Sequence, residues 1–283
     1  MNVLEMQNLT KRYDGFTLKN VSIALPKGCV MGLVGENGAG KSTTIGLLLG
    51  LIKPDEGRVS LLGAQGGSAG FDAARQEVGV VLDEAGYPEG LTAREIGRVM
   101  RHTFKRWSDD AYKRYLGRFG VPERKMFKEL SRGMKMKLML AVALSHDAQL
   151  LILDEATSGL DPVARDEVLD ILRDFTRDER RSVLLSSHIV SDLEKICDYV
   201  AFLHRGRLAF CEEKDALLDG HALLKCTREE FERVDRAAIV GARVSDYDVQ
   251  ALVKRGLMPG GWPLERAGIE DIMLYYAKGD AVK

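Results

Sequence analysis

The chain has 283 residues, of which 45% are hydrophobic and 29% charged, with 7 prolines, 29 glycines and 4 cysteines. That composition excludes a collagen, a wholly disordered chain and a small disulfide scaffold, and the length suits about two domains. Forty-one Lys and Arg against 42 Asp and Glu leave a net charge of −1, so the charge balance makes no case for nucleic acid or acidic lipid.

The first five residues, Met1-Asn2-Val3-Leu4-Glu5, lack the basic and apolar stretches of a signal peptide, and no apolar run approaches a membrane span. Cys29, Cys197, Cys211 and Cys226 have neither paired nor metal-ligand spacing and read as idle thiols. The expectation is a soluble, cytoplasmic chain. No internal repeat is visible.

In chain order, residues 29–34 form the first short apolar run, and an apolar helical pattern over 43–51 follows it. Residues 63–70 are glycine-rich without phosphate-loop spacing and read as a flexible loop. Further apolar runs lie at 78–82, 150–153, 182–186 and 199–203. Their near-continuous apolar character suits strands covered on both faces, and helical patterns between them point to an α/β core with mainly parallel strands. Residues 199–203 and 208–211 flank Arg205-Gly206 as a hairpin. The stretch from about 84 to 145 has no such strand. Ser108 before Asp109-Asp110 is an N-cap, and Gly120, Val121 and Pro122 are stop signals. Tyr112, Tyr115, Leu116 and Phe119 share a helical face that reads as core. A helical subdomain is thus expected inside the α/β core. Beyond about residue 222 the pattern weakens, with a break at 258–263, and this part is taken as a small accessory region without readable chemistry.

Gly35-Glu36-Asn37-Gly38-Ala39-Gly40-Lys41-Ser42-Thr43 matches the phosphate-loop pattern G-x-x-x-x-G-K-[ST] in full, between a strand and a helix. Its glycines let backbone N–H groups and a helix N-terminus face phosphate oxygens; Lys41 reaches the terminal phosphates, and the Ser42 hydroxyl ligates Mg²⁺. Residues 150–155, Leu-Leu-Ile-Leu-Asp-Glu, form a buried strand closed by two carboxylates. Asp154 suits a water-mediated hold on Mg²⁺, and Glu155 suits polarising an attacking water.

With these two motifs the chain resembles the ATP-binding subunit of an ABC transporter. Leu130-Ser131-Arg132-Gly133-Met134 resembles the family signature Leu-Ser-Gly-Gly-Gln, Ser158-Gly159-Leu160-Asp161 the D-loop, His188 the switch histidine, and Tyr13 the aromatic that stacks on adenine. The motifs keep family order from residue 1 to about 215. The other histidines, His102, His146, His204 and His221, read as surface residues. The resemblance implies a P-loop ABC ATPase core with a mainly parallel sheet, an antiparallel β subdomain, an inserted helical subdomain at about 84–145 and a C-terminal accessory region, divided as 1–222 and 223–283. It implies ATP and Mg²⁺ as ligands. It also implies a dimer, with a second copy or a paired ATPase subunit, in which Ser131, Arg132, Gly133 and Met134 face the partner's ATP and Asp161 serves the D-loop.

Arg132 and Met134 depart from the common signature in a way that resembles bacterial ABC-2-type exporter ATPases. Asp83 stands where the family has a glutamine and is carried as a further metal-side ligand. The implied function is ATP hydrolysis coupled to transport, in the export direction, through a separate membrane permease, with no nucleic-acid partner and a peripheral place on the inner membrane face. The permease contact is expected just after Asp83, at Tyr87 and Leu91. Two alternatives stay open: a soluble ABC ATPase acting on DNA or ribosomes, and a nucleotide-binding regulatory module without turnover. Against the first, Lys41 and Ser131 are too close in sequence for a coiled-coil or zinc-bearing insertion; against the second stand Glu155 and His188.

Overall fold

The structure, a computed structural model, describes residues 1–82 and 87–278, so Asp83 lies outside the described residues. The chain forms two compact units, Met1–Leu208 and Ala209–Lys283, whereas the sequence reading drew its division at 222.

The first unit opens with a long antiparallel pair, β1 (Asn2–Tyr13) and β2 (Phe16–Pro26), joined at a tight turn where Tyr13 pairs with Phe16. β3 (Val30–Gly35) follows and is buried along its whole length. α1 (Lys41–Leu48) starts two residues earlier than the apolar pattern suggested, because Gly40 caps it in a left-handed conformation. β4 (Glu56–Leu61) and the two-residue β5 (Ala64–Gln65) come next, then α2 (Ala69–Arg75) and β6 (Val78–Val81). The stretch expected to be a flexible loop therefore holds β5 and the start of α2; Gly63 and Gly67, at φ 81° and 79°, make the turns around them.

Three helices follow: α3 (Ala93–Thr103), α4 (Asp109–Arg118) and α5 (Arg132–Ala143). A capping box starts α3, with the Thr92 hydroxyl accepting from Glu95 N and Glu95 Oε2 accepting from Thr92 N at 2.9 Å. Ser108 caps α4 as the sequence indicated, and Tyr112, Leu116 and Phe119 are buried. The Tyr112 ring lies so close to Gly97 that a Cβ there would meet it at 2.4 Å, and its hydroxyl donates to Ala93 O at 2.7 Å. The small residue on α3 is thus what lets α4 approach.

The chain then returns to the core through β7 (Leu150–Asp154), α6 (Pro162–Thr176), β8 (Ser182–Ser187), α7 (Val190–Ile196) and β9 (Tyr199–His204). The turn at Arg205-Gly206 leads into β10 (Arg207–Glu213), the expected hairpin, through which the chain passes to the second unit. The central sheet has the order β10-β9-β3-β8-β7-β6, and β9 through β6 are parallel. β3, β7 and β8 are buried at every position, which is why their sequences do not alternate. Leu33, Leu151, Leu153 and Leu185 are fully buried, each stabilising the fold by about 1.5–3 kcal/mol. A separate antiparallel sheet has the order β2-β1-β4-β5.

The second unit contains α8 (Lys214–Gly220), β11 (His221–Cys226), α9 (Arg228–Phe231), β12 (Ile239–Val244), β13 (Val249–Lys254), β14 (Leu264–Arg266) and α10 (Ile269–Lys278). Its antiparallel sheet, β12-β13-β11-β14, buries Ala222, Leu224, Cys226, Val249, Ala251 and Val253 on one face beneath Phe231, Met258 and Trp262. What the sequence offered as weak patterning is a small sheet with its own core. All four cysteines are thiols. No helix among the described residues is long and apolar enough to cross a membrane.

Three of the four histidines read as surface residues are not. Only His102 is exposed. His221 is buried, its Nδ1 donating to Leu217 O at 2.8 Å and its Nε2 lying 3.2 Å from the Tyr276 hydroxyl. His204 is largely covered beside the phosphate loop. His146 is fully buried, its ring stacked 3.8 Å from that of Phe104, with Nδ1 donating to Gln76 O at 3.1 Å. Hydrogen bonds to the rings of His146 and His221 offset part of the cost of burying them, which composition alone does not reveal.

Burial pushes the His146 pKa down to about 4, against about 6.5 in an unfolded chain. The unfolded state therefore binds the proton first. The stability tied to neutral His146 is complete above about pH 6.5 and is lost as pH falls toward 4, by up to ~3 kcal/mol. Thermal unfolding at pH 7 and pH 5 should show this fall, and His146→Phe, which keeps a ring beside Phe104, should flatten it. An equal fall in both proteins would remove His146 as its source.

Candidate functional site

Three neighbouring parallel strands deliver the chemistry to one end of the central sheet. Pairing sets Val34 of β3 opposite Ser187 of β8, and Ser186 of β8 opposite Asp154 of β7. The phosphate loop after β3, the acid pair closing β7 and His188 after β8 therefore leave the sheet at one level. That is where open α/β sheets bind ligands.

In the loop, Gly35 is buried at the end of β3, and Glu36, Asn37 and Gly38 are exposed. Ala39 N donates to Glu36 O at 3.0 Å and closes a turn. Gly38 and Gly40 have φ of 81° and 109°, conformations that strain any other residue. Ser42 and Thr43 lie in the first turn of α1, Ser42 exposed. Lys41 is only 6% exposed, and its ammonium donates back to Gly35 O at 2.8 Å and Glu36 O at 3.4 Å. An ammonium folded onto its own loop can exchange those carbonyls for phosphate oxygens.

Lys41 Nζ also stands 3.3 Å from Glu155 Oε1, which ties the loop to the acid pair. Glu155 has φ 50°, a left-handed conformation costly for a side chain of this kind. It is held there by its N–H, which donates to the Ser186 hydroxyl at 3.0 Å and to Ser186 O at 3.2 Å. The other Glu155 oxygen, Oε2, accepts from His188 Nδ1 at 2.6 Å. A carboxylate only accepts, so the proton of that bond is on Nδ1. Asp154 is buried and accepts a hydrogen bond from the Ser186 hydroxyl on Oδ1. The neighbours of the linked pair Lys41 and Glu155 are thus a hydroxyl, Ser42, and a carboxylate, Asp154. This all-oxygen set fits Mg²⁺, a hard cation.

Tyr13 is 44% exposed at the tip of the β1–β2 hairpin. Asp55 pins that tip, accepting from Arg12 N at 2.7 Å and Lys11 Nζ at 3.0 Å, and these donors hold its carboxyl below the usual range. Phe16, the partner of Tyr13, touches the phosphate loop: a Cβ on Gly40 would lie 3.1 Å from its ring.

Ser131, Arg132, Gly133, Met134 and Asp161 form a second group. Ser131 caps α5, its Oγ accepting from Met134 N at 3.3 Å. Asp161 caps α6, its Oδ1 accepting from Ala164 N and Val163 N at 3.0 Å each, which keeps its carboxyl below the usual range. The two caps lie together: a Cβ on Gly159 would meet the Arg132 guanidinium at 2.8 Å, and one on Gly133 would meet Ala164 at 3.6 Å.

Sequence reasoning missed three residues that hold this arrangement. Ser186 looked like the end of an apolar strand, Asp55 drew no expectation, and Gly206 looked like an ordinary hairpin glycine. Only the last carried a local signal, since an Arg-Gly turn between two short strands implies left-handed backbone.

A strand, a phosphate loop, a helix and a carboxylate pair closing another strand of the same parallel sheet define a P-loop nucleotide hydrolase. Residues 18–158 match the family described as ABC transporter. The bacitracin transport ATP-binding protein of Enterococcus faecalis is 34% identical over 209 residues, 73% of this chain and 68% of its own. The lantibiotic transport ATP-binding protein of Streptococcus pyogenes is 33% identical over 216 residues, 75% of this chain and 92% of its own. A solved ATP-binding subunit of an ABC transporter superposes with a TM-score of 0.67 at 28% identity, covering 81% of this chain and 93% of that one. The chain belongs to the ABC transporter family of ATP-binding subunits, and it binds and hydrolyses ATP.

Proposed function

We propose that the chain drives export through a separate membrane permease, to whose inner face it attaches from the cytoplasm, and that it works as a dimer with a second copy or a paired ATPase subunit. The observation that carries the reading is the linked set Lys41, Glu155 and His188 at the mouth of the phosphate loop. Residues 35–43 cradle the triphosphate, with Lys41 turning from Gly35 O and Glu36 O to the β- and γ-phosphates. Tyr13 offers its ring to the base. Glu155 takes the proton of the attacking water, and His188, whose Nδ1–H fixes Oε2, leaves Oε1 for that task. Ser42 and Asp154 would hold Mg²⁺, which would offset phosphate charge. Ser131, Arg132, Gly133 and Met134 face the partner subunit's ATP, where the N-terminus of α5 favours negative charge, and Asp161 stands beside them.

Relatives named for bacitracin transport, for lantibiotic transport and for linearmycin resistance, the last from Bacillus subtilis at 32% identity over 260 residues, support export as the direction. The permease contact is placed at an open, largely apolar cleft of about 400 Å³ lined by Leu49, Leu51, Val80, Tyr87, Met100 and Phe104, among others. Tyr87 meets Phe127 edge to face at 5.8 Å, and burial raises its pKa, so the phenol stays neutral. Leu91 accepts Phe127 N on its carbonyl at 2.8 Å, and of the two residues expected at the contact it is Tyr87 that lines the cleft. A charge at an apolar contact is costly. Tyr87→Glu should therefore reduce the protein recovered with native membranes severalfold, while the soluble ATPase rate stays within about twofold of wild type. Undiminished membrane recovery would move the contact elsewhere; loss of the soluble rate as well would mean a folding defect, which Tyr87→Phe would not share.

A further inference from the structure

The geometry points to Gly206 as a positioning residue that sets the span between the base platform at Tyr13 and the phosphate loop. The inference rests on the reading of Tyr13 and of residues 35–43 given above. It concerns what joins the two grips.

Arg205 and Gly206 have φ of 46° and 74°, the left-handed pair of a tight two-residue hairpin turn between β9 and β10. The turn is driven between two other parts of the site. Gly206 N donates to Ala39 O, in the phosphate loop, at 3.1 Å, and Gly206 O accepts from Lys19 N, in β2, at 2.7 Å. One peptide residue thus bridges the loop and the hairpin that carries Tyr13. The fit leaves no space: a Cβ on Gly206 would stand 2.0 Å from Thr17 O and 3.4 Å from the Phe16 ring. The first of these is backbone, which cannot rotate away.

The same two surfaces also meet directly. A Cβ on Gly40 would lie 2.8 Å from Leu18 and 3.1 Å from Phe16, and one on Gly35 would lie 2.5 Å from Leu203 O, just ahead of the turn. Three glycines, two in the phosphate loop and one in the β9–β10 turn, therefore let backbone pack on β2 and β9 around one point. Phe16 touches both Gly40 and Gly206 and pairs with Tyr13 across the hairpin. Any push at position 206 is passed to β2 through Thr17 and Phe16, and so to the ring of Tyr13, while the loop's own Lys41 contacts stay in place. The turn fixes how far the base stands from the phosphates.

The test compares ATP with inorganic tripolyphosphate, which has the phosphates without the base, using the full chain with magnesium. Stacking on an aromatic is worth about 1–3 kcal/mol in nucleic-acid systems, or roughly 5- to 150-fold in affinity. Wild type should prefer ATP by a factor in that range, and Tyr13→Ala should remove most of the preference. Gly206→Ala should lower ATP affinity about tenfold and change tripolyphosphate affinity less than about twofold. Combined with Tyr13→Ala it should cost ATP little more, because the two changes act on one coupling. Lys19→Pro removes the N–H that serves Gly206 O without adding bulk at the turn; β2 is an edge strand, where proline is tolerated. It should show the same split in milder form and serves if Gly206→Ala fails to fold. Equal loss for both ligands in both variants, or unchanged ATP affinity, would overturn the positioning role while leaving the base platform intact. No ATP preference in wild type, or none lost in Tyr13→Ala, would overturn the platform and the inference together.

Discussion

Glu155→Gln should bind ATP as wild type does and hydrolyse it about 10²–10⁴ times more slowly, the range a general base supplies. The amide is nearly isosteric, and its oxygen can still accept from His188 Nδ1, now 2.6 Å from Oε2. It has no basic lone pair with which to take a proton from water. The substitution also removes the carboxylate 3.3 Å from Lys41, which frees the ammonium for phosphate rather than weakening its hold. Binding and turnover should therefore separate. With ATP and Mg²⁺ the variant should accumulate as a dimer on size-exclusion chromatography. A variant that turns over at the normal rate would take Glu155 out of the mechanism.

Lys41→Ala should do the opposite, lowering affinity itself by about a hundredfold, within the 2–5 kcal/mol that follows removal of one partner from a close charge pair. Lys41 is nearly buried, and it meets both the carbonyl oxygens of the loop and Glu155. Without it, the triphosphate would meet the Glu155 carboxylate, only 15% exposed and no longer paired with an ammonium. Titration with a fluorescent nucleotide reads the affinity, and a thermal melt checks that α1 still forms. Unchanged affinity in a folded variant would mean that the backbone N–H groups alone carry the phosphate grip.

The parallel core was legible because strands buried on both faces leave unbroken apolar runs, as Leu150 to Leu153 do. The phosphate loop was legible because the left-handed backbone at 38 and 40 requires glycine and a lysine follows at once to supply the charge. The start of α4 was legible because Ser108 has a local task that any sequence window displays. The support around the site was not. Ser186 matters only because parallel pairing sets it against Asp154, and Asp55 only because it reaches Arg12 and Lys11 from a distant loop. Such roles depend on long-range register, which no local pattern encodes. The buried histidines were missed for the same reason: Phe104 and Gln76 are far from His146 in sequence, and burial was decided by them. The second unit was poorly legible because its strands are short and its core is made largely of alanine and valine, which also occur in loops.

The contact between Arg132 and Gly159 shows how the fold accommodates an arginine at position 132. A guanidinium stands where the common sequence has a hydrogen atom, and it needs volume that something else must give up. Gly159 gives it: at φ 67° it is already committed to a backbone that disfavours side chains, and a methyl group there would meet Arg132 at 2.8 Å. The two positions trade size, so neither can be altered alone without crowding or a void. The trade also joins the first turn of α5 to the turn just ahead of α6. If a partner subunit docks here as proposed, it meets Ser131 and Asp161 as one edge, because the caps of α5 and α6 lie side by side.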